Sequence, residues 1–402
     1  MSQSAAEKTA PTLAGVLPPL GAMFAMQVMM SMAGLAAPVF AVRLAADLGI
    51  SAGWVGLYMS AVFVVAMFSG VLGGGAVLRL GAVRVAQICL VVAAAALALM
   101  CLGEVVWVVL AALLIGLAYG PPTPASSHIL ARTTPPHLMP IIFSLKQTGV
   151  PAGGALAGAL VPLMVLAWGW RGAAIAVALA ALALALVLQP IRARFDADRD
   201  RDHRPARNLA APLRLVLRDP AMRRLSFLAG SYSAVQMSLI AFLVSFLVEY
   251  VRLDIVAAGA VLAVAQVAGI GGRIFWGAIS GTLVSPRWVL FGLGLVMALV
   301  SLVIAGFSPS TPSIVIYAAA AVFGASAIGW NGVMLAELAR IAPPGKAGFV
   351  TGGSVFITFG GVVLAPAVFS ALLALGFGYG TGFAMLAGLS LLGAGLALRH
   401  RA

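Results

Sequence analysis

Arg273 and Lys146 are the two cations that fall inside long apolar runs of this chain, in AQVAGIGGRIFWGAISG and FSLKQTGVPAGGALAG. A guanidinium offers a planar fork of N–H donors that matches a carboxylate through two parallel hydrogen bonds, whereas an ammonium acts as a compact point charge. In apolar surroundings such a group is expensive and marks a pathway or a paired site. The chemistry on offer is capture of a small anion, with Arg273 as chief counter-charge and Lys146 as auxiliary. The plainer reading has Arg273 bonding backbone carbonyls or snorkelling to the nearer surface. Lys146, the shallower of the two, can extend its four-carbon stem to that surface in the same way.

Other polar side chains recur at helical spacing. Gln27 and Ser31 share a face at i, i+4, as do Tyr232 and Gln236; Tyr119, Trp330 and Asn331 stand nearby in other runs, and Gln147 adjoins Lys146. Each suits a polar-lined cavity, and each taken singly is better explained by an interhelical hydrogen bond. Gly149, Gly153, Gly154 and Gly158 favour close helix packing over ligand contact. Pro121, Pro122 and Pro124 kink their helix and free backbone carbonyls.

Absences narrow the chemistry further. No Asp or Glu falls in the middle of an apolar run; Glu104, Glu249 and Glu337 stand at ends. A cationic substrate or a carboxylate proton relay would want one. Gly345-Lys346 is followed by Ala347 and lacks the upstream glycine of a phosphate loop, and no HExxH or paired-Cys pattern offers a metal site. No cofactor is expected. Cys89 and Cys101 are twelve residues apart on one helix, roughly 18 Å along its axis, too far for a disulfide. His128, at the end of a run, reads as structural.

The elements that must position these residues are set by composition. Hydrophobic residues make up 62% of the 402 and charged residues 9%, where a soluble domain carries about a quarter charged. The solvent is therefore the bilayer, crossed by helices of roughly 20 apolar residues. Apolar segments fall near 16–41, 54–78, 83–103, 105–130, 141–168 and 170–189, then near 222–248, 255–281, 288–307, 312–337, 349–374 and 379–398. The expectation is an all-α membrane protein of twelve transmembrane helices. The net charge of +13 does not imply nucleic acid, because lipid-facing runs present no basic groove and no aromatic-interleaved basic patch occurs.

Between the two sets of six lies a charged stretch, 191–224, holding ten of the 24 Lys+Arg and five of the 11 Asp+Glu. Domains are accordingly expected at 1–190 and 225–402, joined by a linker at 191–224. The alternation at Asp198-Arg199-Asp200-Arg201-Asp202 reads as a solvated linker, and AAPLRLVLRDPAMRR as a short amphipathic helix on the membrane surface. With both termini cytoplasmic, 19 of the 24 basic residues fall on or at the cytoplasmic side, which the positive-inside bias favours over the inverted arrangement. The N-terminal MSQSAAEKTAPTLAG lacks the pattern of a cleaved signal.

The halves also repeat. Ala131-Arg132-Thr-Thr-Pro135-Pro136 is matched 208 residues later by Ala339-Arg340-Ile-Ala-Pro343-Pro344, as Gly116 is by Gly324. Gly74 and Arg84 are echoed by Gly277 and Arg287, both 203 residues later. Six helices duplicated in parallel are implied. On this repeat and topology the chain resembles the major facilitator superfamily of secondary transporters over nearly its whole length. The family's signature after the second helix is Gly, an acid four positions on, Arg, any residue, and Gly. Here Gly74, Arg79 and Gly81 stand, and Leu78 replaces the acid; in the second copy Gly281 takes the acid's place after Gly277.

The resemblance implies two six-helix bundles that alternate access to a central cavity lined by the first, fourth, seventh and tenth helices, with the fifth and eighth packed between the halves. It thereby brings Gln27, Tyr119, Tyr232, Gln236, Trp330 and Asn331 towards the cavity, and Arg273 and Lys146 towards each other. Transporters of small organic anions in this superfamily look similar in carrying an Arg on the eighth helix. The expected function is secondary transport of a small organic anion, a carboxylate, by a monomer in the inner (plasma) membrane, with proton coupling open. The alternatives are an efflux pump for hydrophobic compounds, using Met23, Met26, Met29, Met30 and Met32 as a pliable surface, and a membrane sensor that binds without transporting. The missing catalytic constellation argues against an enzyme.

Overall fold

A computed structural model describes residues 13–134, 142, 145–200, 211–281, 283–343 and 347–399. Part of the linker (201–210) and the repeat prolines Pro135, Pro136 and Pro344 lie outside the described residues. In lipid every backbone polar group must find its partner inside the chain, so long apolar segments form helices. The first span is Leu13–Leu48, the second Val55–Leu80 and the third Ala82–Met100. The fourth comes in two pieces, Val105–Tyr119 and Pro122–Thr133, broken at the expected prolines.

The fifth and sixth spans share one stretch, 43 residues from Leu145 to Val187. At 1.5 Å per residue that is about 65 Å, twice the ~30 Å hydrocarbon core. It turns at Gly169, whose φ of 69° and ψ of 173° are non-helical. Eleven long apolar helices therefore make twelve crossings among the described residues. A short helix, Gln189–Phe195, ends the first half, and a surface helix, Ala211–Arg218, precedes the second. Then come the seventh span Pro220–Glu249, the eighth Ile255–Ile279, the ninth Pro286–Ala305, the tenth as Ser313–Ala327 and Asn331–Ile341, the eleventh Ala347–Ala374 and the twelfth Tyr379–Arg399.

The break in the tenth span was not foreseen, because the sequence has no proline there. Within it, a Cβ on Gly329 would meet the Ala325 carbonyl at 2.1 Å and Trp276 of the eighth span at 2.8 Å. The chain passes that point only as glycine, and the helix is interrupted over 328–330.

Within the first half, the second and third spans pack on the fourth and the first on the fifth–sixth unit; within the second half, the seventh packs on the eleventh and twelfth and the eighth on the tenth. Large apolar side chains such as Leu166, Leu186 and Leu364 point outward, the pattern of a lipid-facing exterior. Contacts between the halves are close on the face opposite the linker. There Ser60 donates to the Val363 carbonyl at 2.6 Å and Ser370 donates to the Gly53 carbonyl at 2.5 Å. Gly56 is pressed against Pro366, Ser370 and Phe242, and Gly158 and Gly259 bring the fifth and eighth spans to backbone contact.

The linker differs from its charge pattern. Asp196 is buried, and its carboxylate accepts from the backbone N–H groups of Val83 (2.8 Å) and Arg84 (3.0 Å) at the start of the third span. Asp198 meets His128 at 2.6 Å and also pairs with Arg132, and the Asp200 N–H donates to the Leu78 carbonyl at 2.8 Å. A helix N-terminus leaves donors unsatisfied and carries partial positive charge, which is what draws a carboxylate there. Residues 196–200 are therefore tied to the first bundle through Asp196, Asp198 and the Asp200 N–H, while 197–200 stay exposed.

Candidate functional site

A small cavity sits between the halves, with walls from the first, second, fourth, fifth, seventh, eighth and tenth spans. Its polar walls are Ser31, Tyr119, Gln236, Gln266 and Arg273; the rest is apolar, including Met59, Phe63 and Met237. Arg273 is its ionisable cation, and no carboxylate lines it among the described residues. At about 40 Å³ it has room for a few water molecules and none for an organic solute.

Three local features of sequence place Arg273. Every Cα–Cβ bond in a helix tilts towards its N-terminus, which for the eighth span is the face away from the linker. The side chain is thus aimed towards mid-membrane and not towards the nearer surface. The tenth-span break leaves the Ile328 carbonyl without its place in the helical ladder, and Arg273 Nε donates to it at 3.0 Å. Pro151 has no N–H to give the carbonyl four residues earlier, that of Gln147, and Arg273 Nη1 donates there at 3.1 Å. The guanidinium so bridges the second half, which carries it, to the fifth span of the first half. Beside it Trp276 Nε1 donates to the Ala325 carbonyl, in the last turn before that break, at 2.9 Å.

The other expected site residues divide. Tyr119 and Gln236 line the cavity with Arg273. Asn331 donates through Nδ2 to Gln236 Oε1 at 3.2 Å, joining the tenth and seventh spans at its edge. Gln147 takes part through its carbonyl. Lys146 does not join the cavity: it is buried against the fourth span, with Nζ 3.2 Å from Ser127 Oγ and 3.5 Å from the Thr123 carbonyl. Gln27 is buried on the first span near Gly149 and is not a cavity wall. Tyr232 and Trp330 are core residues of the second bundle, stacked edge to face at 5.8 Å. The Tyr232 hydroxyl donates to Leu290 (2.6 Å) and the Trp330 indole to Ala327 (3.0 Å).

At the motif positions, Gly81 adopts φ 95° beside Asp196, whose carboxyl occupies the space a Cβ would need. Near the position where Leu78 lacks a carboxylate, one therefore comes from Asp196, which caps the short helix Gln189–Phe195. Arg84 reaches Gln87 at 3.4 Å, Arg79 is exposed, Gly74 and Gly277 face open space, and Arg287 lies 4.8 Å from the Trp288 ring centre. Sequence reasoning passed over Gln266. It stands seven residues before Arg273, two helical turns away on the same face, and that spacing was the available signal.

The duplication is visible in the contacts. Gly116 presses on the Val62 carbonyl, and Gly324, 208 residues later, presses on Ala265, which is 203 residues after Val62. Gly120 touches Ala66 and Gly70; the equivalent Ile328 touches Gly269 and receives the Arg273 hydrogen bond.

Two parallel six-helix bundles around a central polar cavity define a multi-pass membrane transporter of small solutes. The chain belongs to the Major Facilitator Superfamily, whose sequence pattern matches residues 21–366. Among solved structures, a bacterial homologue of the human lysosomal transporter Spinster is similar in its inward-facing occupied form. The TM-score is 0.75 at 16% identity, covering 97% of both chains. The unoccupied inward-facing form gives 0.76 at 16% identity, covering 97% of this chain and 99% of that one. The nucleoside transporter NupG gives 0.74 at 15% identity, covering 96% and 100%. A search of curated protein sequences returned no match.

Proposed function

We propose that this transporter carries a small organic anion, a carboxylate, and that Arg273 is its counter-charge. The observation that carries the reading is the cavity's ionisable cation, held by two neutral backbone carbonyls where, among the described residues, no carboxylate lines the site. A charged donor on a neutral acceptor is weaker than the same donor on a carboxylate, which also takes the guanidinium fork in two parallel bonds. An arriving carboxylate therefore competes with the Gln147 carbonyl. Because Gln147 belongs to the first half, its release loosens one tie between the halves, which couples binding to the movement that opens the cavity.

Tyr119, Gln236 and Gln266 supply neutral hydrogen bonds for the rest of the solute. Proton coupling needs no protein carboxylate, since the solute can carry the proton itself. Both termini are assigned to the cytoplasmic side of a plasma (inner) membrane by the positive-inside bias, and the functional unit is taken as a monomer. The efflux reading loses its basis in the first-span methionines. Met23, Met26, Met29, Met30 and Met32 are buried in helix contacts and do not line the cavity.

A thermal-shift screen of purified protein against small carboxylates and their isosteric amides tests the proposal. Stabilisation by at least one carboxylate, weak or absent with its amide and lost in Arg273→Gln, is expected. Stabilisation that survives Arg273→Gln unchanged would sink it.

A further inference from the structure

We infer that the second bundle carries a binding site for an anionic phospholipid, separate from the solute cavity. A groove of about 630 Å³ runs between the surface helix and the seventh, eleventh and twelfth spans, walled by Leu217, Phe227, Gly230, Gly360, Leu364 and Leu389. Its shape follows from one close contact. A Cβ on Gly361 would lie 1.9 Å from the Gly230 carbonyl, so the seventh and eleventh spans touch there. The neighbouring Gly360, in contrast, faces open space. From Phe356 to Val368 the groove follows thirteen residues of the eleventh span, about 18 Å from first to last. That is close to the depth of one leaflet, about 15 Å.

The mouth supplies the complementary charge. The surface helix turns Leu213 and Leu217 into the groove and carries Arg214 and Arg218 on its exposed flank. Arg223 and Arg224, also exposed, follow at the base of the seventh span. Arg223 Nη1 donates to the Leu217 carbonyl at 3.0 Å, which ties it to the surface helix that walls the groove, and Arg224 Nη1 donates to the Arg399 carbonyl at 2.9 Å. Among the described residues none of the four forms an ion pair. The nearby Asp219 accepts from the Met222 N–H at 2.8 Å as the helix cap.

Four cations at the bilayer boundary above an apolar slot of leaflet depth match the two parts of one ligand. The phosphate of an anionic glycerophospholipid sits among the arginines, and one acyl chain fills the slot. Bound there, the lipid holds the surface helix, and with it the end of the linker, against the second bundle.

Native mass spectrometry of the full-length protein, titrated with phosphatidylglycerol or phosphatidylcholine of the same chains, tests the inference. Two variants probe the two halves of the ligand: Gly360→Leu fills the slot where nothing opposes a side chain, and Arg214→Gln with Arg218→Gln removes charge from exposed positions. The expected result is one tightly held phosphatidylglycerol, preferred over phosphatidylcholine by about tenfold. Its occupancy falls in both variants while lipid-free melting temperatures stay unchanged. Equal retention of the two lipids overturns the site, as does retention indifferent to the arginine pair, which folds whatever becomes of Gly360→Leu. Displacement of the lipid by inorganic phosphate alone would also overturn it, because the slot would then contribute nothing.

Discussion

The chain builds one helix crossing twice and finishes the two copies differently. In the first half, Gly116 and Gly120 of the fourth span lie on Val62, Ala66 and Gly70 of the second, and the crossing closes glycine on glycine. In the second half, Gly324 and Ile328 of the tenth span lie on Ala265 and Gly269 of the eighth, but the position equivalent to Gly70 is Arg273. The scaffold is duplicated and the charge is not. What the difference teaches is where to look: packing explains the residues the copies share, and the residue that breaks the symmetry sits in the cavity bonding across the halves.

The most disruptive way to probe the comparison is to overfill both crossings. A Cβ would lie 2.3 Å from the Val62 carbonyl at Gly116 and 1.9 Å from the Ala265 carbonyl at Gly324. Gly116→Leu and Gly324→Leu are each expected to abolish monodisperse protein in size-exclusion chromatography, since neither backbone can yield cheaply. Survival of only one would show that the copies are not mechanically equivalent. Next comes the charge itself. Arg273→Gln is expected to fold and to lose about 100-fold in transport, the scale of a charge-assisted pair worth about 3 kcal/mol. Arg273→Lys, which keeps charge but not the fork, is expected to fall in between.

Removing the linker's carboxylate has a smaller consequence. Asp196→Ala strips a cap from the third span, a loss of about 1 kcal/mol, and should lower the melting temperature by a few degrees while transport persists. Neighbouring Asp198 adds a pH signature. Partial burial raises its pKa, but the His128 hydrogen bond and the Arg132 charge outweigh that and hold it below the ordinary value. Its contribution is therefore present above the unfolded value, near 4, and is lost as pH falls through the lower folded value. The melting-temperature gap between wild type and Asp198→Asn should be constant at neutral pH and shrink below about pH 4. Least of all, Gly70→Ala meets Gly120 atoms at 3.5–3.7 Å, ordinary contact. It should leave expression and transport near wild type; a large loss would mean that this side of the crossing is also functional.

Much of the architecture was legible because bilayer physics is blunt. Span length and apolar content gave the twelve crossings, including the turn at Gly169, and the two repeat offsets reappear as matched glycine contacts. Arg273 stood out because a deep cation is rare in such a chain. The tenth-span break was not legible, since that stretch has no proline to announce it. Tyr232 and Trp330 were placed in the cavity by their span, yet an amphipathic aromatic serves a core equally well when a carbonyl accepts its polar end. Asp196 was hidden inside a charge run, and only the fold shows that one of those carboxylates faces a helix end. Lys146 is drawn towards Arg273 by helix pairing; its side chain instead bonds Ser127 and the Thr123 carbonyl of the fourth span.

The central claim is that Arg273 exchanges the Gln147 carbonyl for a solute carboxylate. Uptake of labelled small carboxylates into proteoliposomes, comparing wild type with Arg273→Gln at matched protein density, tests it most directly. The prediction is saturable uptake by wild type, competed by unlabelled carboxylates but not by their amides, and lowered about 100-fold in the variant. Uptake by Arg273→Gln at the wild-type rate, or equal competition by the neutral amides, would contradict the account.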